Sequence, residues 1–285
     1  MNKPSIMEQL RRAEKEHYAI PHFNYSDIWD MTAIVLAAEE ERSPVFLAGV
    51  QKVTDAIGLP MIGAMGRVKM ETASVPVYHH LDHANNVAIC KSAVDEQFAT
   101  VMIDGSKESL ARNIAMTREV VDYAHPKGVF VEGEIGKVMG NNDEGKFDGG
   151  DFLATVPEAV ELVQSTGVDI LAVGIGTAHG FYKGKPQINF QRLSEIRDAV
   201  STPLVLHGGT GIPAEDVQET IRRGISKVNV GTIVKYVYLS SVQKTLNENP
   251  LGPSIHTIDL MLPAVQAIKE EVKQWIRICM SSGKA

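Results

Sequence analysis

Cysteine is scarce in this 285-residue chain. Cys90 and Cys279 are the only two cysteines, and no CxxC pair occurs. Two cysteines in a chain of this length do not make a disulfide framework. We therefore expect a protein of the reducing cytoplasm, where thiols stay unpaired.

Long apolar runs and excess positive charge are also missing. No apolar run approaches the roughly 20 residues that span a bilayer, and the first twelve residues, which include Lys3, Glu8 and Arg11, lack the apolar core of a signal peptide. The formal net charge is -7, whereas non-specific binding to nucleic acid or to a membrane surface needs basic patches. We therefore expect no nucleic-acid partner and no membrane partner. An anionic small substrate stays compatible, because a local potential can oppose the net charge.

What the chain does contain is a globular composition, with 44% hydrophobic and 22% charged residues. It repeats a short apolar run followed by a helical pattern. Eight runs are predicted to be strands: Tyr18–Phe23, Pro44–Ala48, Val75–Leu81, Thr100–Ile103, Val129–Val131, Ile170–Val173, Pro203–Leu206 and Lys227–Val230.

Helical patterns lie between these runs. The predicted helices are Asp27–Glu41, Leu110–Ala124, Pro157–Ser165 with Thr155 as N-cap, Ala214–Arg223 and Ile233–Leu246. Apolar strands that alternate with helices indicate a parallel sheet covered on both faces. Eight such units predict an α/β fold, a (β/α)8 TIM barrel that forms a single domain over residues 1–285. An open doubly wound sheet is the alternative. The segment Gly136–Thr155 does not fit this strand–helix pattern, because it is long and poor in apolar residues. A segment of this kind is typical of a functional lid or a disordered stretch.

Three histidines follow predicted strands. His83 comes after the third run, His179 after the sixth, and His207 at the end of the seventh. Because barrel active sites lie at the carboxyl ends of the strands, we expect these side chains to meet. Three protein ligands with one open position are the arrangement of a catalytic zinc site. Six other histidines are interpreted otherwise: His17, His22, His125 and His256 as ordinary hydrogen-bonded or surface residues, and His79 and His80 as supports.

Two further groups of residues stand at strand ends. Asp104 and Glu134 are predicted either to support the metal site or to hold the metal in a second position. The stretches Gly208–Gly211 and Asn229–Thr232 are glycine-rich and follow the seventh and eighth strands, where barrels frequently bind phosphate through backbone N–H groups. Lys183 and Lys185 also follow His179, where they either meet a phosphate or belong to a solvated loop.

With these residues in place, the chain resembles the class II, metal-dependent fructose-bisphosphate and tagatose-bisphosphate aldolases. The resemblance runs over nearly the whole chain. Its most specific parts are His80-Leu81-Asp82-His83, Met102-Ile103-Asp104-Gly105-Ser106, Gly176-Thr177-Ala178-His179-Gly180, Leu204–Pro213 and Lys227-Val228-Asn229-Val230.

The resemblance implies a lyase that cleaves a small phosphorylated sugar to dihydroxyacetone phosphate and an aldehyde. It implies one catalytic Zn²⁺ on His83, His179 and His207, with Asp104 and Glu134 at a second or displaced position. Asp82 would be the acid/base on the C4 hydroxyl. The implied substrate-binding residues are Gly180, Lys183, Gly208, Gly209, Thr210, Asn229, Val230, Gly231 and Thr232. A bound monovalent cation, a homodimer or homotetramer and a cytoplasmic location also follow by analogy.

The chain departs from the family pattern in two places. The family carries a glutamate in the loop after Glu134, and here the aligned position is Asn142, which cannot titrate. We predict that Asp143 or Glu144 takes over its proton transfer. The family often has an arginine for a distal phosphate, and the region Pro253–Leu260 has none; Lys52 is a candidate replacement cation. An aldolase for a ketose 1-phosphate without a distal phosphate, a metal-dependent hydrolase, and a phosphosugar-binding protein with reduced catalysis remain alternatives.

Overall fold

A computed structural model describes residues 5–138, 152–249, 252 and 256–285. Its centre is a closed barrel of eight parallel strands in sequence order, with β8 pairing with β1. The strands are β1 (Ile20–Tyr25), β2 (Val45–Val50), β3 (Val77–Ala84), β4 (Thr100–Ile103), β5 (Phe130–Ile135), β6 (Ile170–Val173), β7 (Leu204–Leu206) and β8 (Ile225–Val230). The predicted (β/α)8 barrel is confirmed, and the alternative of an open sheet is wrong.

Eleven α-helices are found in the described part of the chain. They are α1 (Ile6–Glu16), α2 (Ile28–Glu41), α3 (Gln51–Ile57), α4 (Leu59–Thr72), α5 (Val87–Asp95), α6 (Leu110–Ala124), α7 (Val156–Thr166), α8 (Phe190–Ala199), α9 (Ala214–Arg222), α10 (Thr232–Glu248) and α11 (Thr257–Ile278). The five predicted helices are present with ends within two residues, and Thr155 caps α7 through a reciprocal capping box with Glu158. None of these helices is long and apolar enough to cross a bilayer.

The barrel interior changes from apolar to polar along the strands. Because alternate strand residues point inward, the lower layer takes Ile20, Phe46, Tyr78 and Val205, which form one apolar cluster with Leu10 of α1. Two residues further along, inward positions become polar and remain buried: His22, His80, Glu132 and Lys227. The next inward layer is Asn24, Asp82, Glu134 and Asn229. The barrel interior is therefore apolar at its amino-terminal end and polar from the middle of the strands to their carboxyl ends.

Some predicted residues lie outside the described part of the chain. They include most of the Gly136–Thr155 segment, with Asn142 and the proposed bases Asp143 and Glu144. Pro253, Ser254 and Ile255 of the C-terminal region also lie outside it.

Candidate metal and catalytic site

The three predicted metal ligands lie together at the carboxyl end of the barrel. His83, His179 and His207 each offer a ring nitrogen, and these atoms lie within 4.8 Å of one another. His83 Nε2 and His207 Nδ1 are 2.9 Å apart. The ring centroid of His83 is 4.9 Å from that of His179 and 4.7 Å from that of His207. The three imidazoles therefore face a common point.

Two local backbone features make this convergence feasible. In a regular strand Asp82 and His83 would face opposite sides of the sheet. Here the β3–β4 register shifts between Leu81 and Ala84, and His83 adopts a left-handed φ of 49°. Such an irregularity re-aims a side chain, and as a result both residues line the same cavity. Gly208 has a φ of 72°, and a Cβ at this position would lie 2.4 Å from the carbonyl oxygen of Ala178, so only glycine lets these two loops approach.

Carboxylates hold the outer nitrogens of two of these imidazoles. Asp104 Oδ2 lies 2.9 Å from His83 Nδ1, and Glu132 Oε1 lies 2.8 Å from His207 Nε2. A carboxylate on the remote nitrogen fixes the tautomer and leaves the other nitrogen as a ligand, which is the usual arrangement around metal-bound histidine. The donor set thus fits a tetrahedral cation with one open coordination position.

The carboxylates around the cluster favour a positive charge within it. Burial lowers the pKa of His83, but the Asp82 and Asp104 carboxylates outweigh burial and raise it to about 10. Burial and the charge of His83 lower the pKa of His179 to about 3. The carboxylates therefore stabilise one positive charge among the three imidazoles. A divalent metal ion bound to the imidazoles would also supply positive charge at this place.

Asp82 lies beside this cluster as a buried carboxylate. Its Oδ2 accepts a hydrogen bond of 2.8 Å from Asn24 Nδ2, and its Oδ1 has no partner among the described residues. Burial favours the protonated form, but the charges of His83 and His22 outweigh it and hold the pKa of Asp82 well below its usual range. Asp82 is therefore ionised and has a free acceptor oxygen.

Asp104 and Glu134 lie on the other side of His83. The three residues form a second group whose ligand atoms lie within 4.8 Å of one another. Asp104 Oδ1 accepts hydrogen bonds from the Ser106 hydroxyl at 2.6 Å and its backbone N–H at 3.1 Å. Burial and the charge of Asp104 raise the pKa of Glu134 to about 8. The geometry thus allows both interpretations of this pair, a support for His83 and a second cation position.

A cavity of about 840 Å³ joins this cluster to the glycine-rich loops. The predicted substrate-binding residues that line it are Gly180, Gly208, Gly209, Thr210, Asn229, Gly231 and Thr232. Val230 and Lys183 are not among its lining residues; the Val230 side chain is buried in the core, and Lys183 is exposed. The Gly209 N–H donates to the Asn229 carbonyl at 2.9 Å, so this donor is already engaged.

Four polar residues beside the cluster were not predicted to belong to the site: Asn24, His22, Glu132 and Lys227. His22 was interpreted as an ordinary hydrogen-bonded or surface residue, and that interpretation is wrong. It is completely buried, has no hydrogen-bond partner among the described residues, and lies 3.6 Å from Asp82 Oδ2. The spacing of polar residues could have predicted this, because polar residues two positions apart within β1, β5 and β8 lie on the same, inward face of the strand.

His80, predicted to be a support, does lie in the interior, with Nδ1 2.5 Å from Thr100 Oγ1.

Lys227 and Glu132 form a fully buried ion pair beneath the cluster. Lys227 Nζ donates to Glu132 Oε2 at 2.6 Å, and neither side chain is exposed. Replacing Lys227 by methionine would leave a buried carboxylate without its cation, which typically costs about 3–5 kcal/mol. We expect Lys227→Met to lower the free energy of unfolding by that amount in urea titrations of metal-free protein. The double variant Lys227→Met/Glu132→Gln should regain part of the loss, and equal stabilities of the single variant and the wild type would contradict this.

Nearly the whole chain is similar to known proteins. Residues 4–284 match the family described as "Fructose-bisphosphate aldolase class-II". A 6-phospho-5-dehydro-2-deoxy-D-gluconate aldolase from Bacillus licheniformis is 41% identical over 99% of this chain and 96% of its own length. A fructose-bisphosphate aldolase from Geobacillus stearothermophilus is 39% identical, covering 100% of this chain and 99% of that protein. The crystal structure of the YdjI aldolase from Escherichia coli K12 superposes with a TM-score of 0.86 at 31% identity, over the full length of both chains.

Proposed function

The chain belongs to the class II fructose-bisphosphate aldolase family and is a lyase. We propose that it uses Zn²⁺ to cleave a ketose phosphate reversibly to dihydroxyacetone phosphate and an aldehyde. The observation that carries this proposal is the cluster of His83, His179 and His207 beside the ionised Asp82. The alternative of a hydrolase is not supported, because the named relatives are aldolases.

We assign the metal ligands to His83 Nε2, His207 Nδ1 and one ring nitrogen of His179. A bound Zn²⁺ supplies a Lewis acid that stabilises negative charge on the oxygens of the three-carbon fragment. Asp104 and Glu132 orient the first two imidazoles, through contacts of 2.9 Å and 2.8 Å. Glu134, with Asp104 and His83, is the proposed second or displaced position.

Asp82 is the proposed base for bond cleavage. It takes the proton of the C4 hydroxyl, the C4 oxygen forms the aldehyde carbonyl, and the electrons of the C3–C4 bond move onto the three-carbon fragment. Asn24 keeps Oδ2 occupied at 2.8 Å, so Oδ1 is the oxygen that accepts the proton. A carboxylate poised in this way is typical of general-base catalysis.

The substrate phosphate is assigned to the loops after β6, β7 and β8. Helix α10 begins at Thr232, and its N-cap Gly231 has no side chain that could cap it. The Ile233 N–H donates to Thr210 Oγ1 at 3.3 Å, and the helix dipole with the other N–H groups of the first turn favours an anion there. The proposed contacts are Gly180, Gly208, Thr210, Gly231 and Thr232 with the side chain of Asn229. Gly209 lines the cavity, but its N–H is already bonded and is not a proposed phosphate donor. Lys183 and the backbone of Val230 remain proposed contacts, although neither residue lines the cavity.

The proposed loop base lies outside the described residues and is tested by exchange. The enediolate must be protonated at C3, and Asn142 cannot do so. We expect Asp143→Ala or Glu144→Ala to slow deuterium exchange into dihydroxyacetone phosphate by about 10²-fold, the lower range for a general acid/base. Mass spectrometry of the labelled product measures this, with Asn142→Ala as the matched control. Unchanged exchange in both acidic variants would exclude them.

One assay set tests the function as a whole. Zinc content is measured first, and cleavage is then followed by coupled triose detection. The panel comprises fructose 1,6-bisphosphate, tagatose 1,6-bisphosphate, fructose 1-phosphate and the compound named for the Bacillus relative, 6-phospho-5-dehydro-2-deoxy-D-gluconate. Zinc bound without triose release from any member would favour the remaining alternative, a phosphosugar-binding protein.

We further propose that residues 1–285 form a single domain that assembles as a homodimer or homotetramer in the cytoplasm. A monovalent cation near the phosphate is part of the same proposal. Light scattering of the purified protein tests the assembly, and the dependence of the cleavage rate on potassium or sodium tests the cation.

A further inference from the structure

His179 is the proposed metal ligand that strands and neighbouring side chains constrain least. His207 directly follows the end of β7, whereas residues 174–178, two of them glycine, separate His179 from the end of β6. Carboxylates contact the rings of His83 and His207. The His179 side chain makes no hydrogen bond in the described part of the chain, so its position depends on how its loop is held.

The Tyr182 hydroxyl joins the loop after β6 to the loop after β7. It accepts a hydrogen bond of 2.9 Å from the Ala178 N–H and donates one of 3.0 Å to the Gly208 carbonyl. Ala178 directly precedes His179, and Gly208 directly follows His207. One hydroxyl group therefore contacts the backbone next to two of the three proposed ligands, whose ring centroids are 6.2 Å apart.

The ring of Tyr182 is itself packed in place. It is half-buried and lies against the hydrophobic core. The backbone of Gly211, in the loop after β7, is so close that a Cβ there would lie 3.2 Å from Tyr182 Cδ2. Because packing already orders the ring, little further entropy is lost when its hydroxyl links the two loops.

We propose that Tyr182 is a positioning residue that holds His179 against His207 for metal binding. It acts through its two backbone contacts and does not touch the metal. The same link joins Gly180 to Gly208, the proposed phosphate contacts on these loops, so Tyr182 also sets the spacing of the phosphate site. The proposal rests on the proposed aldolase function, because that function assigns the metal to the three histidines.

The first test is the affinity for zinc, because it does not require activity. Tyr182→Phe removes the hydroxyl and keeps the ring. We expect its zinc affinity, measured by competition with a chelating indicator, to fall by about 10-fold, the lower end of the range for groups that orient metal ligands. Circular dichroism should show the fold of the wild type.

Tyr123→Phe is the matched control for this substitution. It also removes a hydrogen-bonded hydroxyl, which lies 2.9 Å from Asp95 Oδ2, and Tyr123 is not among the residues that line the cavity. Its zinc affinity should equal that of the wild type. A loss of affinity in the control would show that removal of any tyrosine hydroxyl has this effect, and it would overturn the proposal.

The second test asks whether Tyr182 acts through His179. In a His179→Ala background, Tyr182→Phe should change the remaining zinc affinity by less than about 2-fold, because the imidazole that it positions is absent. Residues that do not interact instead give additive effects. Equal 10-fold losses in both backgrounds would therefore contradict the proposed link.

The third test concerns the phosphate. At saturating zinc, Tyr182→Phe should raise by about 5-fold the concentration of dihydroxyacetone phosphate that half-saturates deuterium exchange, a loss in the range of one hydrogen bond. The maximal exchange rate should change less, because the variant keeps its metal under these conditions.

The outcomes separate this proposal from the proposed function. Unchanged zinc affinity in Tyr182→Phe, with only a loss of stability in urea titrations of metal-free protein, would show that Tyr182 merely stabilises the fold. A zinc-loaded wild type that exchanges no dihydroxyacetone phosphate would contradict the aldolase function alone, since the affinity tests would still stand. A wild type that binds no zinc would contradict both.

Discussion

Replacing Asp82 by alanine is expected to lower kcat for ketose phosphate cleavage by about 10³-fold, the middle of the range for general acid/base catalysis. Asp82 is the buried carboxylate beside the histidine cluster whose Oδ1 is without a partner in the described residues. Asp104 and Glu132 hold the imidazoles of His83 and His207, so Asp82 is not needed to orient these two rings. Zinc content by atomic emission should therefore stay near one ion per chain.

Two further variants sharpen this experiment. Asp82→Asn keeps the volume and the contact with Asn24 but cannot accept the proton, so its kcat should fall as far as that of Asp82→Ala. Asp122→Ala, on the exposed face of α6, is the matched aspartate control and should retain full activity. Loss of zinc from Asp82→Ala would mean that Asp82 is a ligand and not the base.

Replacing His179 by alanine is expected to remove the metal. His179 is the proposed ligand that is easiest to test, because it is only partly buried and its side chain makes no hydrogen bond in the described part of the chain. Three ligands reduced to two no longer form a catalytic zinc site. We expect less than about one tenth of an ion per chain after dialysis, since outer-shell changes alone cost 10- to 100-fold in affinity. Cleavage should fall with it.

The control for this loss is another histidine. His17 is exposed and has a left-handed φ of 54°, a conformation that asparagine tolerates. His17→Asn should keep both zinc and activity. A His179→Ala variant that retains stoichiometric zinc would contradict the three-histidine assignment, whereas an unfolded one is recognised by circular dichroism. In that case His179→Gln tests the same point with less change in volume.

The positions of the three clustered histidines could be predicted from the local sequence pattern. The strand runs and the polar residues that follow them placed His83, His179 and His207 at one end of a barrel, and the structure brings them together. Glu132 stands two residues before Glu134 on the same strand, so the alternation of the strand predicts that both point inward, but it does not predict what Glu132 contacts. Its importance depends on Lys227 and His207, which are 95 and 75 residues away.

Six of the eleven described α-helices were not predicted from the sequence. Helix α11 spans 22 residues and buries Ala264, Ile268, Val272 and Trp275 on one face. That spacing is helical, so the signal was present, but nothing in the local sequence says that this helix packs against α2. Helix α3 has seven residues and buries only Thr54, so its amphipathic pattern is too short to recognise.

The strand–helix repeat along the chain is sufficient to predict the barrel and the residue types that stand at each strand end. Which atoms meet depends on how the chain packs in three dimensions. The 2.9 Å approach of His83 and His207 joins residues 124 apart, and it depends on the irregularity in β3 and on the glycine contact at Gly208. The physical reason is that periodicity reflects local burial, whereas ligand geometry arises when a sheet closes and each buried polar group must find a partner across the interior.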